Sequence, residues 1–474
     1  MLITGAELEG TAPLDVRLAS DRIAEIGRSL ARRRDEPVLD AAGGALLPGL
    51  HDHHLHLFAL AAARASVRCG PPAVCDAASL AVALATGRAT GDAGAWIRGV
   101  DYFESVAGEL RRAELDRLVP GQPLRIQHRS GALWLLNSAA IDRLGLDRGA
   151  DAPGVERDAA GRATGRLFHL DTWLRERLEP QPLPNLGAVG ALLASFGVTG
   201  VTDATPDNGP AELRAFADAC DRAELRQRVL VMGTPGLPAS THALVERGAV
   251  KLRLDESAFP DFDELVRRMD DAHRGGRPVA LHCVTRAELV LAAGALEAAG
   301  ALPGDRIEHA SVTPPDVLRL LAELGVRVVT QPGFVRERGD AYAEHVDAAD
   351  RPWLYRGRGF LDAAVPLAAG TDAPYGDPDP WLAMQAAVER RTRSGRLLGA
   401  GECLSPEAAL ALFTSPPDSP GAAPRRVAIG ARADLCLLDQ PWSEARERLS
   451  SACVTATIRS GCVVWRRAEV HAVE

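Results

Sequence analysis

Lysine is all but missing from this chain. Of its 54 Lys and Arg residues one is a lysine, Lys251, and the other 53 are arginine. An arginine-rich coding bias explains the missing lysines but not the one that remains. Aromatic residues make up only 4% of the 474 positions, so the core has to be built from Ala, Leu and Val. No apolar run approaches the roughly 20 residues that a membrane span requires. The opening Met-Leu-Ile-Thr-Gly-Ala-Glu has no basic segment leading into an apolar one, so no signal peptide is expected. The eight cysteines include no C-x-x-C pair and none of the dense spacing of a disulfide framework. They are expected to be reduced thiols of a soluble, cytoplasmic protein. A net charge of −9 argues against nucleic acid or an anionic membrane as partner. The expected partner is a small-molecule substrate, with a homo-oligomer left open.

The two ends are written alike. Leu2-Ile3-Thr4-Gly5, Leu14 to Leu18 and Ile23 to Gly27 near the start, and 433–438 and 455–464 near the finish, are short-strand signals. They predict a small β-sandwich built from both termini, residues 1–47 and 423–474. Between them, strand-like runs recur at 197–203, 226–233, 249–255, 278–284, 305–311, 326–332 and 366–372. Helical periodicity fills most gaps, as in 210–224, 261–273, 286–299 and 315–324. With the apolar run before His54 this makes eight strands in β-then-α order, which predicts a distorted TIM (β/α)8 barrel over 48–422. A doubly wound sheet would place a Gly-rich loop after its first strand; here that strand runs into histidines. Residues 57–196 exceed any ordinary βα loop and are expected to form an inserted subdomain.

The strongest local signal is Leu47-Pro48-Gly49-Leu50-His51-Asp52-His53-His54-Leu55-His56. Side chains at i and i+2 of a strand share a face, so His54 and His56 project together, as Zn²⁺ or a similar ion requires. His51 and His53 are expected to point elsewhere. His282, His309 and Asp372 then fall at the ends of the fifth, sixth and eighth strands, the rim where barrel active sites lie. His242, His273 and His471 are read as solvated or tail positions, and nothing decides whether His128, His169 and His345 reach a pocket.

Lys251 lies inside the fourth strand. A buried lysine is costly unless its charge is removed or paired. A neutral amine can take up CO₂ to give a carbamate whose two oxygens bridge two metals, which arginine cannot do. The bland alternative is an ion pair with a carboxylate such as Asp255.

Together PGLHDHHLH, the strand-four lysine, VALHCV, DRIEHA and AAGTDAP resemble the amidohydrolase superfamily. VLDAAGGALLPGL and GARADLCLLD are similar to the halves of its β-sandwich. WIRGVDYFE, QHRSGALWLLNSAAIDRLG and RIEHASVTPPDVLRLLAELGVRVVTQPGF resemble its amidohydrolase-3 branch, relatives of N-substituted formamide deformylase. The resemblance implies His54, His56, His282 and His309 as metal ligands, Lys251 as a carboxylated bridge, and Asp372 as ligand and catalytic acid–base. It implies one or two divalent ions, Zn²⁺ first and Mn²⁺, Fe²⁺ or Co²⁺ as alternatives. Ala132 stands where relatives usually have His after Ser-Gly, and Val284-Thr285-Arg286 follows Cys283 where they commonly have a Gly-Asp pair. These departures keep the substrate from being transferred from any relative.

The expected reaction is hydrolysis of a non-peptide C–N bond, in a linear amide or N-acyl compound, by metal-activated hydroxide. A deaminase, decarboxylase or isomerase on the same scaffold is the alternative, and a non-catalytic homologue the remote one. Tyr375, Trp134, Phe334 and Arg336 follow rim motifs and are candidates for shaping the pocket.

Overall fold

The structure is a computed structural model that describes residues 1–89, 95–149, 152–178 and 183–468. Eight parallel strands make the central sheet: β1 Leu50–Leu55, β2 Val198–Asp203, β3 Arg228–Gly233, β4 Val245–Arg253, β5 Val279–Cys283, β6 Arg306–His309, β7 Arg327–Thr330 and β8 Leu367–Ala369. Each pairs with its neighbour in this order. Just past β8 the chain returns to β1, where the Asp372 N–H donates to the His54 carbonyl at 2.7 Å and the His56 N–H to that of Ala373 at 2.8 Å. Gly370 permits this approach, because a Cβ there would lie 2.5 Å from the His54 backbone nitrogen. The sheet is thereby a nearly closed barrel, as the β-then-α order predicts.

Helix positions follow local chemistry. Thr285 and Glu288 form a reciprocal capping box that starts the helix Arg286–Ala299. Gly325, left-handed at φ 66°, ends Pro315–Leu324. One gap departs from the pattern: 234–244 holds no helix, and its Pro235, Gly236 and Pro238 disfavour one. β4 begins at Val245, four residues before the sequence signal.

The strands 2–6, 14–19, 22–27 and 38–40 form one four-stranded sheet, and 46–48, 435–438, 454–459 and 462–466 another. Ile3, Val16, Ile23 and Leu39 from the first share a core with Leu46, Leu435, Leu437 and Ile458 from the second, which is the expected sandwich. The run at 455–464 is two strands rather than one. Ser460 and Gly461, at φ 50° and 76°, turn it into a hairpin.

Two compact units divide the chain, Met1–Leu57 with Asn185–Glu474, and Phe58–Pro184. The second is built on its own six-stranded sheet. The helix Gly187–Ser195 groups with the barrel. No helix among the described residues is long and apolar enough to cross a membrane.

Candidate metal centre

Strand alternation divides the four histidines of the first motif. On one side His51 Nε2 meets Thr202 Oγ1 at 2.9 Å and His53 Nε2 meets Ser415 Oγ at 3.0 Å. On the other lies His54, with the His56 ring centroid 5.5 Å away. His309, the last residue of β6, and Asp372, three residues past β8, are both left-handed, φ 70° and 56°. Such backbone costs about 1–3 kcal/mol per residue and persists where the surroundings impose it.

These turns bring the ligand atoms of His54, His309 and Asp372 within 4.8 Å of one another. Asp372 Oδ1 lies 3.4 Å from His54 Nε2 and 3.3 Å from His56 Nε2. The His282 ring sits 4.4 Å from that of His309, which is 4.8 Å from that of His54. Lys251 is 6% exposed. Its Nζ and Asp372 Oδ1 are buried polar atoms without a hydrogen-bond partner. Unsatisfied buried polar atoms are rare in folded proteins, and imidazoles with a carboxylate are donors that suit Zn²⁺ and similar ions. The residues fit a divalent cation. The pairing of Lys251 with Asp255 does not occur: Asp255 accepts from the Ser257 N–H at 3.0 Å and approaches Arg253 at 3.9 Å.

Burial pushes Lys251 down to about 8, against the pull of Glu308 and Asp372. It also lowers His309 to about 3 and holds His282 well below the ordinary imidazole value, so both are neutral at pH 7. Burial and Lys251 push His54 down as well, but Glu308 and Asp372 outweigh them and leave it raised. Asp372 is held well below the usual carboxylate range, because its contacts with His54 and His56 overcome burial.

A supporting layer was not legible in the sequence. Glu308, fully buried, accepts from His54 Nδ1 at 2.5 Å, and Gln331 Oε1 accepts from His309 Nδ1 at 2.7 Å. Both contacts place the proton on Nδ1 and free Nε2 to bind a metal. Arg306 holds Glu308 in turn, its Nε 2.5 Å from Oε1. Asp52 accepts from the Thr371 hydroxyl at 2.5 Å and from the His54 N–H at 3.1 Å, fixing the segment before Asp372 to β1. The one available signal was the strand period, which puts Arg306 and Glu308 on a common face. Glu308→Gln is expected to weaken metal binding roughly 10- to 100-fold, the usual cost of removing a ligand's outer partner. Metal titration of the stripped protein measures it, and unchanged affinity would show that Glu308 does not orient His54.

The other candidates scatter. Trp134 is a core residue of the inserted unit, its indole N–H donating to Asp171 at 2.9 Å. Arg336 and His345 are exposed. Phe334 is buried and Tyr375 stands edge-on to His56, ring centroids 5.6 Å apart. His128 approaches Glu104 at 3.1 Å within the inserted unit. His273 is not solvated: its side chain is 9% exposed and lies 3.1 Å from Asp305. His242 approaches Asp221 at 3.3 Å. His471 lies outside the described residues.

This barrel and donor set suit a metal-dependent hydrolase, and comparison with known proteins supplies the family. The amidohydrolase family model matches residues 37–465, and the chain belongs to that family. It is 26% identical to the N-substituted formamide deformylase of Arthrobacter pascens, over 95% of each chain. Its fold is similar to an uncharacterized metal-dependent hydrolase of Pyrococcus horikoshii OT3, with TM-score 0.73, 21% identity and 93% and 96% of the two chains covered. It is also similar to the atrazine chlorohydrolase of Arthrobacter aurescens TC1 complexed with zinc, with TM-score 0.54, 15% identity and 99% and 96% covered. At these identities the two solved structures speak to the fold alone. The chain is therefore an enzyme, not a non-catalytic homologue.

Proposed function

We propose that this hydrolase cleaves a non-peptide C–N bond in a linear amide or N-acyl compound, using a divalent cation, Zn²⁺ first, held by His54, His56, Lys251, His282, His309 and Asp372. The observation that carries the reading is a pair of buried polar atoms without a hydrogen bond, Lys251 Nζ and Asp372 Oδ1, among four imidazoles. One or two bound ions supply Lewis-acid polarisation of the substrate carbonyl and a water of lowered pKa. Lys251 enters the donor set as its carbamate, which turns a buried cation into an anionic ligand. Asp372, ionised and at the rim, takes the proton from water on its carboxylate and delivers it to the leaving nitrogen. His282 and His309 stay neutral and hold their place through ring contact and the Gln331 bond.

The formamide deformylase relative supports a linear amide, and a donor set of imidazoles with a carboxylate supports Zn²⁺. In this reading residues 48–422 form the catalytic domain with 57–196 inserted, 1–47 and 423–474 form the sandwich, and the protein works in the cytoplasm on a small molecule.

The test combines metal removal with product release. Chelation is expected to abolish turnover, and Zn²⁺, Mn²⁺ or Co²⁺ to restore it. Across N-acyl amines, cyclic amides and aminoheterocycles, the linear N-acyl amines are expected to release amine. Full activity in metal-free protein would overturn the reading. Ammonia released from aminoheterocycles alone would replace it with a deaminase.

A further inference from the structure

The chain has four tyrosines, and three of them meet in one place. Tyr342, Tyr355 and Tyr375 join Phe334 in an apolar cluster of the barrel unit. Tyr342 and Tyr355 stack with centroids 5.7 Å apart, and Phe334 stands edge-on to Tyr355 at 5.9 Å. For a protein with so few aromatics this is a strong concentration beside the metal centre, since Tyr375 abuts His56.

One cation sits within it. The helix Gly333–His345, which follows β7, carries Phe334, Arg338 and Tyr342 at intervals of four, hence on one face. The Arg338 guanidinium lies over the Phe334 ring, 4.0 Å from its centroid, and donates from Nη2 to the Tyr375 carbonyl at 2.6 Å. Among the described residues it makes no other hydrogen bond and no ion pair. Several other arginines of the same unit are matched, although Arg459 also leaves its buried Nε without a hydrogen-bond partner. Arg228, Arg306 and Arg356 pair with Asp434, Glu308 and Glu402. Arg277 and Arg390 are engaged by four and three backbone carbonyls, respectively. Burial works against the charge of Arg338, but Tyr342, Tyr355, Asp372 and Glu337 outweigh it, so it stays cationic. The result is a half-buried guanidinium, pinned at one nitrogen, with donors uncommitted and the Asp372 carboxylate near enough to act on it.

We propose that Arg338 is the substrate's anion-binding residue: the amide this enzyme hydrolyses carries a carboxylate, which Arg338 binds, and an apolar group that packs on the part-exposed Tyr375, which the buried Phe334 and Tyr355 back. A guanidinium offers parallel N–H donors that match a carboxylate, and a pre-placed one loses little freedom on binding. The bound carboxylate gives Arg338 the direct ion pair that no described residue makes with it. The proposal rests on the reading of the centre as a hydrolase of linear C–N bonds, which it deepens by naming the substrate class.

The experiment uses metal-loaded wild type, Arg338→Gln and Arg338→Lys. Calorimetry compares 3-phenylpropionate with 3-phenylpropanol, which differ in the carboxylate. Kinetics compare N-formylphenylalanine with N-formylphenethylamine, which differ in the same way. Wild type is expected to prefer the acid of each pair. Arg338→Gln should lose roughly 10- to 100-fold in affinity for phenylpropionate, the span of a charged hydrogen bond, with the alcohol within a few-fold. The Gln variant's KM for N-formylphenylalanine should rise by a similar factor with kcat little changed, and Lys should restore part of both. Equal losses for acid and alcohol, or no loss for either, overturn the proposal, since a residue that only anchors the Tyr375 loop makes no such distinction. Any drop in melting temperature is read against the Lys variant, which keeps the charge and a donor for the Tyr375 carbonyl. If wild type hydrolyses neither formyl compound the linear-amide reading fails, and the calorimetric pair still decides Arg338.

Discussion

Lys251→Arg is expected to give a folded protein that has lost its metal and its activity. By charge the change is conservative; by chemistry it is not. A guanidinium stays protonated and forms no carbamate, so a permanent cation would face His54, His282 and His309, whose imidazoles already feel the Lys251 charge. No carboxylate pairs with Nζ to absorb it. Loss of a bridging anion removes several kcal/mol of transition-state stabilisation, so the rate should fall by about 10³-fold or more. Elemental analysis of the purified variant should show metal well below wild type. Lys251→Ala should behave likewise, yet recover part of its activity when a small carboxylic acid is added at high concentration to fill the gap. An Arg variant with wild-type metal and turnover would reduce the lone lysine to a relic of coding bias.

Asp372→Asn is expected to fold normally and to lose roughly 10²–10⁴ in kcat, the span for a general acid–base group. The backbone bonds that seat this residue, its N–H to the His54 carbonyl and its carbonyl to the Tyr375 N–H, do not depend on the side chain. Contacts with His54 and His56 hold the carboxylate ionised against its burial; a carboxylate has oxygens that can take up a proton, and the amide of Asn cannot replace it in that role. Steady-state kinetics with near-ultraviolet circular dichroism separates lost chemistry from lost structure. A variant within a few-fold of wild type would remove Asp372 from the proton path.

The sequence alone determined the features that local chemistry controls. The barrel order was legible because strand and helix periods differ and because caps such as Thr285 with Glu288 and Gly325 mark helix ends. His54 and His56 could be paired because the strand period is two. Lys251 stood out because no other lysine competes with it. What needed the tertiary structure was every contact between distant strands. Glu308 reaches His54 across 254 positions, and Asp52 reaches Thr371 across 319. Left-handed backbone at His309 and Asp372 turns the end of a strand inward, and nothing in a residue's type announces that turn at a non-glycine position. Arg336 looked like a rim residue while Arg338 holds the place, because a shift of two residues on a helix moves a side chain about 200° around the axis. Period and composition are properties of neighbours along the chain. Which carboxylate a buried cation meets is settled only when the barrel closes.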